Sequence, residues 1–203
     1  MRKNLFIGVM LLVVAVIAVG CAKPPQQEID AAKAALKAAE DAAAPMYAGP
    51  DWDKANQAMS AVNAELEAQQ AKFALFRSYT KAKQLIADAQ NAANAAKQAA
   101  IAGKEKAKNE AEAAITAVKG AVEQAKTLVA DIDKCRRPKP KDFKKDWELK
   151  KGQVDGFAAP VADLDAKLAK EDFLGATAQA DTLKAQVDAW VTEITEVKTK
   201  LKC

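Results

Sequence analysis

The sequence lacks the side chains on which most enzyme active sites depend. Its 203 residues include no histidine, so the commonest general base and metal ligand is absent. The only serines, Ser60 and Ser78, lie outside any Gly-x-Ser-x-Gly motif. The sequence also has no glycine-rich phosphate loop, and its cysteines do not have zinc-site spacing. We therefore expect no enzyme activity, no metal site and no cofactor.

Aromatic residues are scarce as well, at 5% of the chain, although 50% of the residues are hydrophobic. Much of that apolar content is alanine, which favours helices and lets them approach closely but buries little area per residue. β-Branched runs bounded by turn residues are absent after the N-terminal segment. This composition excludes a large mixed sheet and predicts an all-α protein of one or two modest domains.

The N-terminus has the pattern of a signal peptide. Arg2 and Lys3 precede an apolar run, Leu5 to Val19, that is shorter than the ~20 residues a bilayer core requires. Small residues follow at the point where cleavage is expected. The alternatives to a cleaved signal peptide with a lipid anchor are a retained membrane anchor and plain secretion.

The residues Ala18-Val19-Gly20-Cys21 resemble the lipobox of bacterial lipoproteins. That resemblance implies a signal peptide of residues 1–20, lipidation of Cys21, and a lipidated tether at 21–27. Ala22 resembles the outer-membrane sorting pattern of such lipoproteins. The expected location is therefore the cell envelope, lipid-anchored, facing the periplasm and at the outer membrane.

The longest helical pattern lies in the proline-free run from Tyr79 to Ile132, whose only glycines are Gly103 and Gly120. Apolar residues recur there alternately four and three positions apart, the a/d seam of a packed helix. As one helix it would be roughly 80 Å long. The seam residues are Tyr79, Ala82, Ile86, Ala89, Ala93, Ala96 and Ala100, then Ala111, Ile115, Val118, Val122, Ala125, Val129 and Ile132.

The plan of the first half of the chain repeats in the second half. Asp51-Trp52 recurs about 95 residues later as Asp146-Trp147, and the seams of three helices keep the same phase in both halves. We predict two tandem antiparallel, up-down-up three-helix units, 28–103 and 104–203, sharing the long central helix. The arrangement of the three helices in each unit resembles that of a spectrin repeat.

Details of the predicted helices follow from prolines and seam positions. In the first unit, the seam of the first helix extends to Met46, and Asp51 is the expected N-cap of a second helix whose seam ends at Phe73. In the second unit, Pro160 is expected to kink the second helix without breaking it.

The first half of the mature chain resembles an alanine-rich helical domain of unknown function found in bacterial envelope lipoproteins. The resemblance lies in the proline-bracketed tyrosine loop within Ala43–Trp52 and in the segment Ser78 to Ile86. It implies a helical fold and an envelope location, and it supplies no catalytic residues.

Positive charge is concentrated in one place. Residues 134–145 contain seven basic residues and one acidic residue, while the rest of the mature chain is slightly acidic. The sequence therefore has no global nucleic-acid footprint. Chain direction places this loop at the tip farthest from the anchor, where it would meet peptidoglycan, the opposite membrane or an envelope protein. The alternative is an ordinary solvated turn. The candidate interaction residues are Arg136, Arg137, Lys139 and Lys141.

Two cysteines remain once Cys21 is assigned to lipid. In an up-down-up unit the first and third helices run in the same direction, so Cys135 and Cys203 come to one end. A disulfide between them is expected in an oxidising compartment. The alternatives are two free thiols and an intermolecular bond.

The sequence leaves two functions open. One is a lipid-anchored periplasmic helical rod that acts as a spacer or interaction adaptor. The other is a periplasmic binding protein that holds an apolar ligand between helices, with Trp52, Trp147 and Trp190 lining the site. Since all three tryptophans lie on predicted seams, core packing is the favoured role for them.

Overall fold

The computed structural model describes residues 23–203, and this part of the chain is all-α, with no strand among those residues. The predicted signal peptide and Cys21 lie outside the described residues. A 3₁₀ turn, Ala74–Phe76, precedes the longest helix. The α-helices are α1 (Gln26–Asp41), α2 (Ala44–Tyr47), α3 (Gly49–Gln70), α4 (Thr80–Lys134), α5 (Phe143–Gly156), α6 (Ala158–Ala169) and α7 (Phe173–Leu201).

The chain divides into two compact units between Gly103 and Lys104. Helix α4 contributes its first part to unit 1 and its second part to unit 2, and it is helical through Gly103.

Unit 1 has a core made largely of alanine, formed where α1 and α3 run antiparallel and pack on the first part of α4. Near the start of α1, Ile29 packs with Met59 and Val62 of α3 and with Ile86 of α4. Near the end of α1, the cluster is formed by Ala39, Ala44, Ala48, Ala55, Ala93, Ala96 and Ala100. Because alanine has only a methyl group, these helix backbones lie close together.

The connection between α1 and α3 differs from the prediction. Helix α1 ends at Asp41, and Ala43 adopts a left-handed backbone (φ 60°) that turns the chain before Pro45 is reached. Met46 is therefore exposed instead of lying on the seam. The prediction of Asp51 as an N-cap is also wrong. Helix α3 already begins at Gly49 with Pro50 in its first turn, where a missing N–H breaks no helical hydrogen bond.

Helix α3 ends at Gln70, earlier than its predicted seam. The assignment of Phe73 to the core is consequently wrong, because Phe73 lies in the connection to α4 and is exposed. Tyr79, immediately before α4, is buried as expected. Its hydroxyl has no hydrogen-bond partner among the described residues.

Unit 2 packs α5, α6 and α7 with the second part of α4. Leu164 of α6 and Ile194 of α7 are almost completely buried, with Val118 and Ile132 of α4. Ion pairs join the helices at their margins: Lys119 Nζ lies 2.8 Å from Asp165 Oδ1, and Lys150 Nζ lies 2.6 Å from Glu193 Oε2. Such exposed pairs add little stability each, so burial of the large side chains holds this unit together.

The second helix of unit 2 also departs from the prediction. Helix α5 begins at Phe143, so Asp146 lies within its first turn. At Phe157 the helix is interrupted for one residue, whose backbone stays in the helical region (φ −73°, ψ −16°). Pro160 then lies in the first turn of α6, where proline is tolerated because its absent N–H is not needed. The kinked single helix is thus two helices separated by one residue.

Candidate functional site

The candidate site is the basic loop, residues 135–142, which connects α4 to α5. The loop starts at Cys135, which forms a disulfide with Cys203, the residue predicted as its partner. The two Cα atoms are 5.8 Å apart. Cys203 follows the end of α7, so the bond joins the C-terminal ends of α4 and α7, two helices of the same unit.

An ion pair reinforces this end of unit 2. Lys198 Nζ of α7 lies 2.6 Å from Asp131 Oδ2 of α4. The hydrogen bond that Lys198 donates lowers the pKa of Asp131 below the usual range of an aspartate, and the positive charge of Lys198 contributes to the same shift to a smaller degree. The disulfide and this pair both join α4 to α7 at the base of the basic loop.

Lys139 has a structural role that the other three cations do not have. Its Nζ donates a hydrogen bond to the carbonyl oxygen of Ile132 (3.0 Å) and lies 5.5 Å from the ring centroid of Phe143. The last carbonyls of a helix lack intrahelical donors and carry partial negative charge. The Ile132 carbonyl also accepts from the Cys135 N–H at 3.2 Å. Lys139 is thus a second donor to it, and this bond ties the middle of the loop back to the end of α4.

Aromatic side chains pack together where the loop ends and α5 begins. The Phe143 and Trp147 rings stack with centroids 5.8 Å apart and planes 18° apart. Trp147 is buried, and its Nε1 donates a 2.6 Å hydrogen bond to Asp133 Oδ1. The indole thus links the start of α5 to the end of α4. Sequence reasoning identified Trp147 as a core residue but missed its bond to Asp133, which no spacing rule indicates.

Arg136, Arg137 and Lys141 are exposed, and the side chains of these three make no hydrogen bond or ion pair with any described residue. Arginine presents a planar fork of donors that matches carboxylate and phosphate groups in two-point contacts. The loop is therefore a braced surface with three available cations, suited to an anionic partner. The predicted four-residue site contains one brace, Lys139, and three candidate contacts.

The tryptophans occupy the positions expected of core residues. Trp147 and Trp190 are buried, and Trp52 is half-buried against the alanine cluster of unit 1. Trp190 Nε1 donates to the carbonyl oxygen of Lys150 at 3.2 Å. Beside it, an open groove of about 490 Å³ runs along the interruption of α5 and α6. Its lining is mixed. Phe157, Pro160, Ala189 and Trp190 supply apolar surface, and Lys150, Gln153, Gln186 and Glu193 supply polar or charged side chains.

One feature escaped sequence reasoning altogether, an exposed apolar turn formed by Phe73, Leu75 and Phe76 between α3 and α4. The signal that could have revealed it is the presence of three large apolar residues within four positions of a connection. The a/d spacing concealed this signal, because it assigned Phe73 to a seam.

No cluster of candidate metal ligands occurs within residues 23–203. Over the same residues, no helix has both the length and the apolar character needed to cross a bilayer. Comparisons of the chain with profiles of known protein families, with curated proteins and with solved structures find no match.

Proposed function

We propose that this chain is a lipid-anchored protein of the bacterial cell envelope, facing the periplasm, that serves as a helical spacer or interaction adaptor. The observation that carries the proposal is the disulfide between Cys135 and Cys203. Disulfides persist in oxidising compartments such as the periplasm. The bond uses two of the three cysteines and leaves Cys21, the cysteine of the lipobox-like segment, for the lipid.

The basic loop is the proposed interaction surface. Its three available cations would bind the anionic groups of peptidoglycan or an acidic face of an envelope protein. The disulfide and Lys139 keep the loop ordered before it binds, so little conformational entropy is lost on association. Nucleic acid is not proposed as a partner, since positive charge is confined to this loop.

A charge-neutralised variant tests the loop. We expect Arg136→Gln/Arg137→Gln/Lys141→Gln to lose cosedimentation with purified peptidoglycan or in-cell crosslinking to an envelope protein. Membrane anchoring should be unchanged. The matched control neutralises three exposed lysines that form no ion pair among the described residues, Lys33, Lys97 and Lys170. Equal loss in both variants would mean that net charge, and not this loop, determines binding.

Two further measurements test the anchor and the spacer. Mass spectrometry of the mature protein should find lipid on Cys21, and Cys21→Ala should move the protein to the soluble fraction. An unmodified Cys21 would contradict the anchor. A spacer must be elongated, so a near-spherical particle in small-angle X-ray scattering would contradict that part of the proposal.

A second candidate function, binding of an apolar ligand, is favoured by the groove beside Trp190. Its volume of about 490 Å³ falls within the range of small-molecule sites. A fatty acid or phospholipid in the groove would change the emission of Trp190. If Trp147→Phe and wild type both fail to respond to such lipids, and no ligand copurifies in native mass spectrometry, the binding function is excluded.

A further inference from the structure

The apolar turn of Phe73, Leu75 and Phe76 is the largest cluster of exposed hydrophobic side chains within one short segment of the described chain. These side chains are 71%, 55% and 76% exposed, and the two phenylalanine rings lie 6.4 Å apart. Other exposed large apolar residues stand singly, as Met46, Ile101, Leu149 and Leu174 do. Single exposed residues are ordinary, whereas a contiguous patch marks a surface that binds something.

Hydrogen bonds hold this turn in its exposed position. Arg77 Nε donates to the carbonyl oxygen of Lys72 and Arg77 Nη2 to that of Gln70, both at 3.0 Å. The backbone N–H of Ser78 donates to Gln69 Oε1 at 3.0 Å. These bonds satisfy two backbone carbonyls at and just after the end of α3 and one backbone N–H just before α4. The backbone of the turn is therefore fixed with its apolar side chains exposed to solvent.

The turn lies at the end of unit 1 where α1 begins. Since α3 runs antiparallel to α1, the end of α3 lies beside the start of α1. Contacts at that end include Lys83 Nζ of α4, 3.5 Å from Glu28 Oε1 of α1. Helix α1 begins at Gln26, five residues after Cys21, and five extended residues span at most about 18 Å. A lipid on Cys21 therefore holds this end of the unit within about that distance of the bilayer surface.

The charges beside the turn suit a lipid surface. Lys72 and Arg77 flank the three apolar residues, and Lys23 lies on the tether. Basic residues next to aromatic and aliphatic side chains are typical of segments that enter the interface of anionic membranes. Long basic side chains can extend to the phosphates while the apolar groups enter below them.

We propose that the apolar turn inserts into the interface of the same bilayer that carries the lipid anchor, and that it fixes the orientation of unit 1 on that surface. The occupant of this surface is thus the lipid bilayer, not a protein. The inference rests on the proposed function, because the anchor on Cys21 supplies the proximity.

The experiment supplies the anchor artificially. The chain from Ala22 to Cys203 carries an N-terminal hexahistidine tag, and vesicles of phosphatidylethanolamine and phosphatidylglycerol contain a nickel-chelating lipid that binds the tag. Ala71, exposed next to the turn, is changed to cysteine and labelled with the fluorophore NBD. The native disulfide leaves this as the only free thiol. Nitroxide-labelled lipids then report whether NBD reaches the bilayer.

We expect blue-shifted NBD emission and nitroxide quenching in the tethered chain, and at least a threefold loss of quenching in Phe73→Ser/Leu75→Ser/Phe76→Ser. The matched control, Met46→Ser/Ile101→Ser/Leu149→Ser, removes three exposed apolar side chains elsewhere and should quench as the parent does. Circular dichroism checks that all three chains are folded. Replacing phosphatidylglycerol with phosphatidylcholine should weaken quenching, because Lys72 and Lys23 lose their anionic partners.

Absent quenching in the tethered parent chain, or equal quenching in the two triple variants, would overturn the inference. Both results are independent of lipidation, since the tag replaces the lipid. Conversely, an unmodified Cys21 in cells would remove the proposed anchor while leaving the tethered result interpretable.

Discussion

Gly103 is the position at which one methyl group should have the largest effect on unit 1. A Cβ built on Gly103 would lie 3.2 Å from Tyr47 Cβ and closer still to the Tyr47 carbonyl oxygen. The neighbour is backbone, so it cannot move aside as a flexible side chain would. By contrast, a Cβ at Gly120 in the same helix meets nothing within 4 Å. The two glycines therefore predict opposite responses to the same substitution.

The magnitudes follow from two competing effects. Replacing a helical glycine with alanine favours the helix by about 1 kcal/mol, which Gly120→Ala should gain in full. At Gly103 the same gain is opposed by overpacking, which costs about 1–3 kcal/mol in close-packed interiors. Because the contact is with backbone, we expect the upper part of that range and a net loss of about 1–2 kcal/mol.

Urea denaturation followed by circular dichroism at 222 nm measures both variants against the parent chain. Gly103→Ala should lower the midpoint and Gly120→Ala should raise it. If unit 1 and unit 2 unfold separately, only the unit 1 transition should move in Gly103→Ala. An equal gain from the two substitutions would refute the close approach of α4 to Tyr47.

Three other predictions concern single interactions. Replacing Cys135 and Cys203 with serine opens a loop whose ends are 68 residues apart, and we expect a loss of up to about 4 kcal/mol in the chain-entropy model; an unchanged thermal midpoint would contradict this. Asp172→Ala removes the side-chain acceptor for a backbone amide at the start of α7 and should cost about 1 kcal/mol in urea titrations; Asp172→Asn should retain most of it. Hydrogen bonds from Lys81 and then from Gln69 lower the pKa of Glu65, so its ionised form stabilises the fold above an unfolded-state pKa of about 4.3. Glu65→Gln should therefore melt earlier than the parent at pH 7, with the gap closing as pH falls through the lowered pKa; a gap that is constant down to pH 2 would refute the assignment.

The regular parts of the fold could be predicted from spacing because helix packing repeats. Every predicted seam residue from Tyr79 to Ala100 is buried. A seam pattern, however, carries no information about where a helix stops. Met46 and Phe73 continue the spacing beyond Asp41 and Gln70, where the chain has already left the helix. A left-handed Ala43 decides the first case, and alanine is not a residue type that indicates such a backbone.

Part of the candidate site was predictable, because helix direction and composition can both be read from the sequence. Helix direction alone brings Cys135 to Cys203, and composition alone locates the basic loop. The bonds of Lys139 to Ile132 and of Trp147 to Asp133 depend on side-chain conformations after the helices have ended. Such details follow from three-dimensional placement and not from residue spacing.

The alanine core of unit 1 has a consequence for how the protein can change over evolutionary time. At Ala32, Ala55, Ala93 and Ala96, which are completely buried, truncation to glycine removes one methyl, while any larger side chain must push two backbones apart. At Trp190, Leu164 and Ile194 in the interior of unit 2, the response is the reverse, because loss of volume leaves a cavity. The two sets of positions are thus expected to accept different substitutions. The buried alanines of unit 1 admit no larger side chain and lose about 1 kcal/mol of helix stability as glycine, whereas the large buried residues of unit 2 tolerate exchanges among large ones.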